Sequence, residues 1–248
     1  IRIDDATVTL EQIYFFNNFS DVGGAISVSS FSTGTVEISN SDFVSNASSG
    51  IATAIVAGSG VDLIIHNSSF REVAINPSPS QMSEPVTIFM GNGSSLLLEN
   101  TLIDGTAGFI GNLESSGIRA DRTSQLVIRN STLVNFTHSA LQVLNFDSND
   151  EVQIYNSILE SDGPVCNLTE PGNLSNSLIG YSYVSDNSCS TIHDTNMVVG
   201  GPLLLGPLET EPNSVVRSRT PAFGSVAIDA GFPPNVFPIN SNLPCLGG

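Results

Sequence analysis

The eleven residues from Leu126 to Phe136, LVIRNSTLVNF, recur along the chain, and a sequence built this way has few folds open to it. Copies run from Val36 to Val44 (VEISNSDFV), Leu63 to Arg71 (LIIHNSSFR), Leu96 to Asp104 (LLLENTLID) and Val152 to Glu160 (VQIYNSILE). Aligned on the asparagine, they place Asn40, Asn67, Asn100, Asn130 and Asn156 in register, at spacings of 27, 33, 30 and 26 residues. Two positions earlier stands an aliphatic residue (Ile38, Ile65, Leu98, Ile128, Ile154), and three positions later a large apolar one (Phe43, Phe70, Ile103, Leu133, Leu159). Degenerate copies flank the series at Leu10, Gln12 and Phe15 and at Leu174, Asn176 and Ile179.

Each period also holds a second β-prone run, such as Gly23 to Val28, Ala54 to Ala57, Val86 to Phe89, Gly117 to Ala120 or Ala140 to Val143. Two or three short strands separated by turn residues fill the period and leave no room for an ordinary helix. One such coil has no core of its own, so its apolar positions must be buried against the coils above and below. The expected fold is all-β: a right-handed parallel β-helix, or solenoid, of about seven coils. The aliphatic and large apolar positions should stack inward. The asparagine should mark the corner, since Asn tolerates the left-handed backbone region and its carboxamide can bond its equivalent on the next coil. As ladder positions, Asn67 and Asn130 are expected to be sterically closed.

The domain layout follows. Residues 1–193 are expected to form the β-helix, and residues 194–248 an irregular tail rich in Pro and Gly, packed along the helix or reaching to a neighbouring protomer. The longest inserts, Asn76 to Glu84 and Gly105 to Ser115, follow asparagine strands and so belong on one face. The chain opens at Ile1 with no Met and no signal peptide, as a mature or trimmed piece would. Its opening strands, Ile1 to Ile3 and Ala6 to Leu10, have no amphipathic helix before them. Such an end either invites head-to-tail contact with a second copy or marks where a cap was lost in trimming.

Composition narrows the partners. The net charge is −17, Lys is absent and all seven cationic side chains are Arg. Such a surface repels phosphate backbones and anionic lipid, which argues against nucleic acid as a partner. No apolar run approaches the ~18 residues of a membrane span. Three cysteines among abundant Ser, Thr and Asn fit an exported protein, in which a Cys166 to Cys189 bridge would staple the last coil. Cys245 is left free, paired with a neighbour, or bonded beyond this segment. No CxxC pair or Cys/His spacing points to a metal, and no cofactor motif is present.

The C-terminal part resembles choice-of-anchor Q proteins through Ser177 to Tyr181 (SLIGY), Asp186 to Cys189 (DNSC), Gly200 to Leu208 (GGPLLLGPL) and Ala227 to Gly231 (AIDAG). It departs from that family at Glu209 to Asn213, where an Asn-Gly-Gly turn is usual, and at its close, Cys245 to Gly248. Phe16-Asn17-Asn18 with Gly23 to Ile26 also resembles polymorphic outer-membrane adhesin repeats. The resemblance implies an exported, surface-associated protein, and supplies a location rather than an activity.

The function expected is non-catalytic: an extracellular structural or adhesive surface protein that polymerises head to tail and meets glycans or cell surfaces through its faces. The alternative is a carbohydrate-active β-helix, a lyase, hydrolase or glycan-binding module. Its candidate residues are Arg119, Asp121 and Arg122, then Asp147, Asp150 and Glu151, for which solvated turn charge is the simpler reading. His66, His138 and His193 are dispersed and expected on polar faces. Asn-x-Ser/Thr sequons fall at Asn18, Asn46, Asn67, Asn92, Asn130, Asn135, Asn167 and Asn173. Apart from the two ladder positions, these are expected at strand edges or loops, able to carry sugar where the producing organism has the machinery.

Overall fold

The computed structural model describes residues 1–4, 6–29, 34–71, 74–75, 86–105, 115–123, 125–145, 150–169, 177–190, 192–195, 197–201, 203–210 and 216–226. All regular elements among them are strands or turns except a single 3-10 position, and no helix is long and apolar enough to cross a membrane.

Three long parallel faces wind along one axis. Face A has seven strands, from Arg2–Ile3 to Cys166–Thr169. Face B has eight, from Val8–Glu11 to His193–Thr195, and face C eight, from Tyr14–Phe16 to Val198–Val199. A fourth, short sheet joins Phe19–Ser20, Ala47–Ser48 and Ala74–Ile75. Each coil passes from A to B, turns at the asparagine into C, and returns to A. Five turns carry the asparagine corner, fewer than the seven coils expected, while shorter end turns extend the faces. The stack also runs past residue 193, since His193–Thr195 and Val198–Val199 pair onto Leu178–Gly180 and Tyr183–Val184.

Pairing follows the repeat. Ile38, Ile65, Leu98, Ile128 and Ile154 are successive partners on face B, and Phe43, Phe70, Ile103, Leu133 and Leu159 on face C. All ten are buried and belong to one continuous core. A column of identical side chains puts like shapes in contact, as in the stacked rings of Phe15, Phe43 and Phe70, with centroids 4.4 and 4.3 Å apart. The closing copy lies in a different register from that expected: Ile179 pairs with Ile154, so Tyr181 rather than Asn176 is the corner residue, with φ 51°. Asn176 itself lies outside the described residues. At Gly24 a Cβ would meet Thr53 O at 2.0 Å and Ala47 O at 2.6 Å, so neighbouring coils approach there as only Gly allows.

The described part of the tail returns along the outside of the stack. Glu209–Thr210 and Arg217–Ser218 form an antiparallel pair, and the Arg217 N–H donates to Ser69 Oγ at 3.3 Å. Arg219 Nε donates to Asp104 Oδ2 at 2.8 Å, a contact 98% buried on the carboxylate side. This segment is a strap across the coils. Cys166 and Cys189 are bridged, with Cα atoms 5.0 Å apart. Cys245 and both long inserts, apart from Gly105 and Ser115, lie outside the described residues.

Candidate functional site

The asparagine corner begins with backbone geometry. Asn40, Asn67, Asn100, Asn130 and Asn156 have φ between 48° and 52°, the left-handed region in which Asn is among the best tolerated residues with a Cβ. Gln12, at the degenerate first copy, adopts φ 56°. The carboxamides stack outside the chain path: Asn100 Nδ2 donates to Asn67 Oδ1 at 3.3 Å, and Asn156 Nδ2 to Asn130 Oδ1 at 2.8 Å. They are not closed off as expected. Asn67 and Asn130 are exposed, because a left-handed residue at an outer corner turns its side chain away from the core.

The buried ladder belongs to the next residue. Ser41, Ser68, Thr101, Ser131, Ser157 and Ser182 are at most 2% exposed. Their hydroxyls donate to the carbonyl two residues back, at Ser39, His66, Glu99, Arg129, Tyr155 and Gly180. They also accept amides from the preceding coil: Ser41 N to Ser68 Oγ, Thr101 N to Ser131 Oγ, Ser131 N to Ser157 Oγ, and Ser157 N to Ser182 Oγ, all at 3.1 to 3.2 Å. The hydroxyl thus satisfies backbone groups that the sharp corner removes from the ladder. Sequence analysis assigned the ladder to the asparagines and gave no role to the residue after them; the Ser or Thr at that position in every copy was the available signal.

The other sequons divide. Asn46 is 4% exposed, with Oδ1 accepting from Asn18 Nδ2 at 2.8 Å and Nδ2 donating to Phe15 O at 2.9 Å. It is a second internal ladder rather than an open loop position, because its carboxamide satisfies backbone at the C to A corner. Asn135 Nδ2 donates to Asp104 and Asn167 contacts His138 at 3.2 Å. Asn92 is exposed on the Asn92-Gly93 turn, and Asn173 lies outside the described residues.

The enzyme candidates do not converge among the described residues. Arg119 faces outward from face A between Phe89 and Gln142, with Nε buried and without a described hydrogen-bond partner. Asp121 accepts from Asn145 Nδ2 at 2.9 Å, and Arg122 is a corner residue with φ 51°. Asp150 is 8% exposed, Glu151 accepts from Gln125 at 3.1 Å, and Asp147 lies outside the described residues. His66 meets Glu37 at 3.0 Å on face B, where Arg129 pairs with Glu99 at 2.9 Å. His193 is described by its backbone alone. Among the described residues no three His, Cys, Asp or Glu side chains gather as a metal site.

The site that remains is a groove between the asparagine corner and the strap. It encloses about 340 Å³ and is lined by Asn40, Asn67, Asn100, Asn130, Thr132 and the Val216 to Arg219 segment, among others. One wall is thus a column of carboxamides, the other carries two guanidinium groups. Polar contacts hold the strap in place: Arg217 N–H donates to Ser69 Oγ, which itself donates to Asp42, and Asp104 receives both Asn135 and Arg219.

The model of the right handed beta helix region matches residues 4–196, most of the chain. The chain belongs to that family. Its members include adhesins and carbohydrate-active enzymes. Comparison with curated proteins and with solved structures gives no match.

Proposed function

We propose that this β-helix is a non-catalytic structural and adhesive domain of an exported surface protein, able to associate end to end. The observation that carries this reading is how its outward polar groups are used. Glu37 with His66, Asp42 with Arg71, Asp62 with Ser95, Glu99 with Arg129, Asp121 with Asn145 and Gln125 with Glu151 are all bonded between consecutive turns. Side chains spent on holding turns together stiffen a scaffold; a catalytic acid or base needs its protonation to be free to change. The Cys166–Cys189 bridge fits an oxidising compartment outside the cytoplasm. The associative part is supported by the uniform stacking of like coils and by the apolar patch of Tyr14, Phe16 and Phe19, each more than 50% exposed.

Arg119, with its buried Nε that has no hydrogen-bond partner among the described residues, favours the second reading, an enzyme acting on acidic polysaccharide. Sedimentation and negative-stain imaging across a concentration series should show rods lengthening into filaments; dispersed short rods throughout would count against association. Release of unsaturated sugars from polyuronates, abolished by Arg119→Ala, would overturn the non-catalytic assignment.

A further inference from the structure

We infer that Asn92 is an N-glycosylation site, the position at which this stack accepts a covalently attached oligosaccharide. The sequon Asn92-Gly93-Ser94 lies in the turn from Val86–Met90 on face A to Ser95–Glu99 on face B. The strap runs beside the asparagine corner, between faces B and C, so this turn stands on a different edge. Its backbone is bonded to the turns on either side. Gly60 N–H donates to Asn92 O at 3.0 Å, and Gly93 N–H donates to Arg122 O at 2.8 Å. The Ser94 hydroxyl closes the turn by donating to Gly91 O. With the main chain fixed in this way, the turn opens to solvent at its tip. Asn92 is exposed there, and a Cβ added at Gly93 would meet no atom within 4 Å. A branched sugar leaves such a tip without displacing a neighbouring coil.

The other described sequons hold the same nitrogen where a sugar would disturb the fold. Asn46 is 4% exposed, and its Nδ2 donates to Phe15 O at 2.9 Å. Asn18 Nδ2 donates to Asn46 Oδ1 at 2.8 Å, Asn135 Nδ2 to the buried Asp104 at 2.7 Å, and Asn167 Nδ2 contacts His138 at 3.2 Å. Asn67 and Asn130 are exposed, but they line the groove whose opposite wall is the Val216 to Arg219 segment. An oligosaccharide on either would press on the strap. Glycan transfer precedes folding, so the fold acts as a filter: chains modified at a bonded or enclosed Asn cannot close as described, and chains modified at Asn92 fold unhindered. In the transfer, Asn92 Nδ2 bonds to the anomeric carbon of a lipid diphosphate oligosaccharide. The bond from that carbon to the diphosphate oxygen breaks, and Nδ2 gives up one proton.

A sugar at this turn shields the edge between faces A and B from lateral contact and leaves both ends of the stack open. The site therefore goes beyond the proposed function and does not depend on end-to-end association. Glycopeptide mass spectrometry of the folded chain secreted from a eukaryotic host tests it. Asn92 should be the main occupied position, with Asn46 and Asn135 empty. Asn92→Gln should remove most of the attached sugar and leave the melting temperature of the enzymatically deglycosylated chain unchanged, and Asn92→Asp should do the same. An unmodified Asn92, or Asn46 or Asn135 carrying sugar as often as Asn92, would overturn the assignment. Sedimentation of the same samples reads association separately, so filaments without sugar at Asn92 sink the site alone, and sugar at Asn92 without filaments sinks end-to-end association alone.

Discussion

At the scale of single residues, corner chemistry is divided between two neighbours. Asn bends the chain, and the Ser or Thr after it repairs the backbone hydrogen bonding that the bend interrupts. Their replacement should differ accordingly. Ser131→Ala leaves the Thr101 amide without its buried acceptor, and should cost about 1–3 kcal/mol in urea unfolding. Asn130→Gly should stay within about 1 kcal/mol, because Gly occupies the left-handed region freely. Tyr183 gives a pH-dependent counterpart. Its phenol donates to Gly201 O at 3.2 Å, and burial, with the nearby Glu160 charge, raises its pKa above the ordinary value of about 10. The folded state holds that proton more tightly than the unfolded chain. The contribution is therefore whole below pH ~10 and is lost as pH climbs through the raised folded value. Alkaline melting curves should show this loss, and Tyr183→Phe should flatten it.

At the scale of elements, strands gain their stability from columns rather than from their own length. The described strands have two to six residues each, too short to persist alone. The Phe15–Phe43–Phe70 stack is one such column, and Phe43 is 1% exposed between its two neighbours. Phe43→Ala should cost about 3–5 kcal/mol, measured by chemical denaturation. Because repeats contact mainly adjacent repeats, hydrogen exchange should quicken first in the coils of Phe15 and Phe70 and least near Ile154.

At the scale of the whole molecule, the strap ties coils distant in sequence. Arg219 reaches Asp104 across 115 residues, and Asp104 is 2% exposed. Removing the guanidinium leaves a buried carboxylate supported by Asn135 but without its Arg219 counter-charge, so Arg219→Ala should cost about 3 kcal/mol. Hydrogen exchange should then accelerate over 203–226 while faces A and B stay protected. A uniform loss of protection across the stack would show that the strap supports the coils rather than resting on them.

The chain by itself determined the solenoid, because a periodic apolar pattern too short for a private core can be satisfied only by stacking. It likewise determined the left-handed corners, since five asparagines in register name a backbone conformation. Tertiary structure decided what periodicity does not encode. The exposure of Asn67 and Asn130 depends on which side of the corner faces the core. The burial of Asn46 and of the serine column depends on which backbone groups each bend leaves unbonded. The groove required the strap to fold back onto rungs over a hundred residues away, where Asp104 meets Arg219. No local pattern announces that meeting, because the pairing energy exists only once both side chains are removed from water.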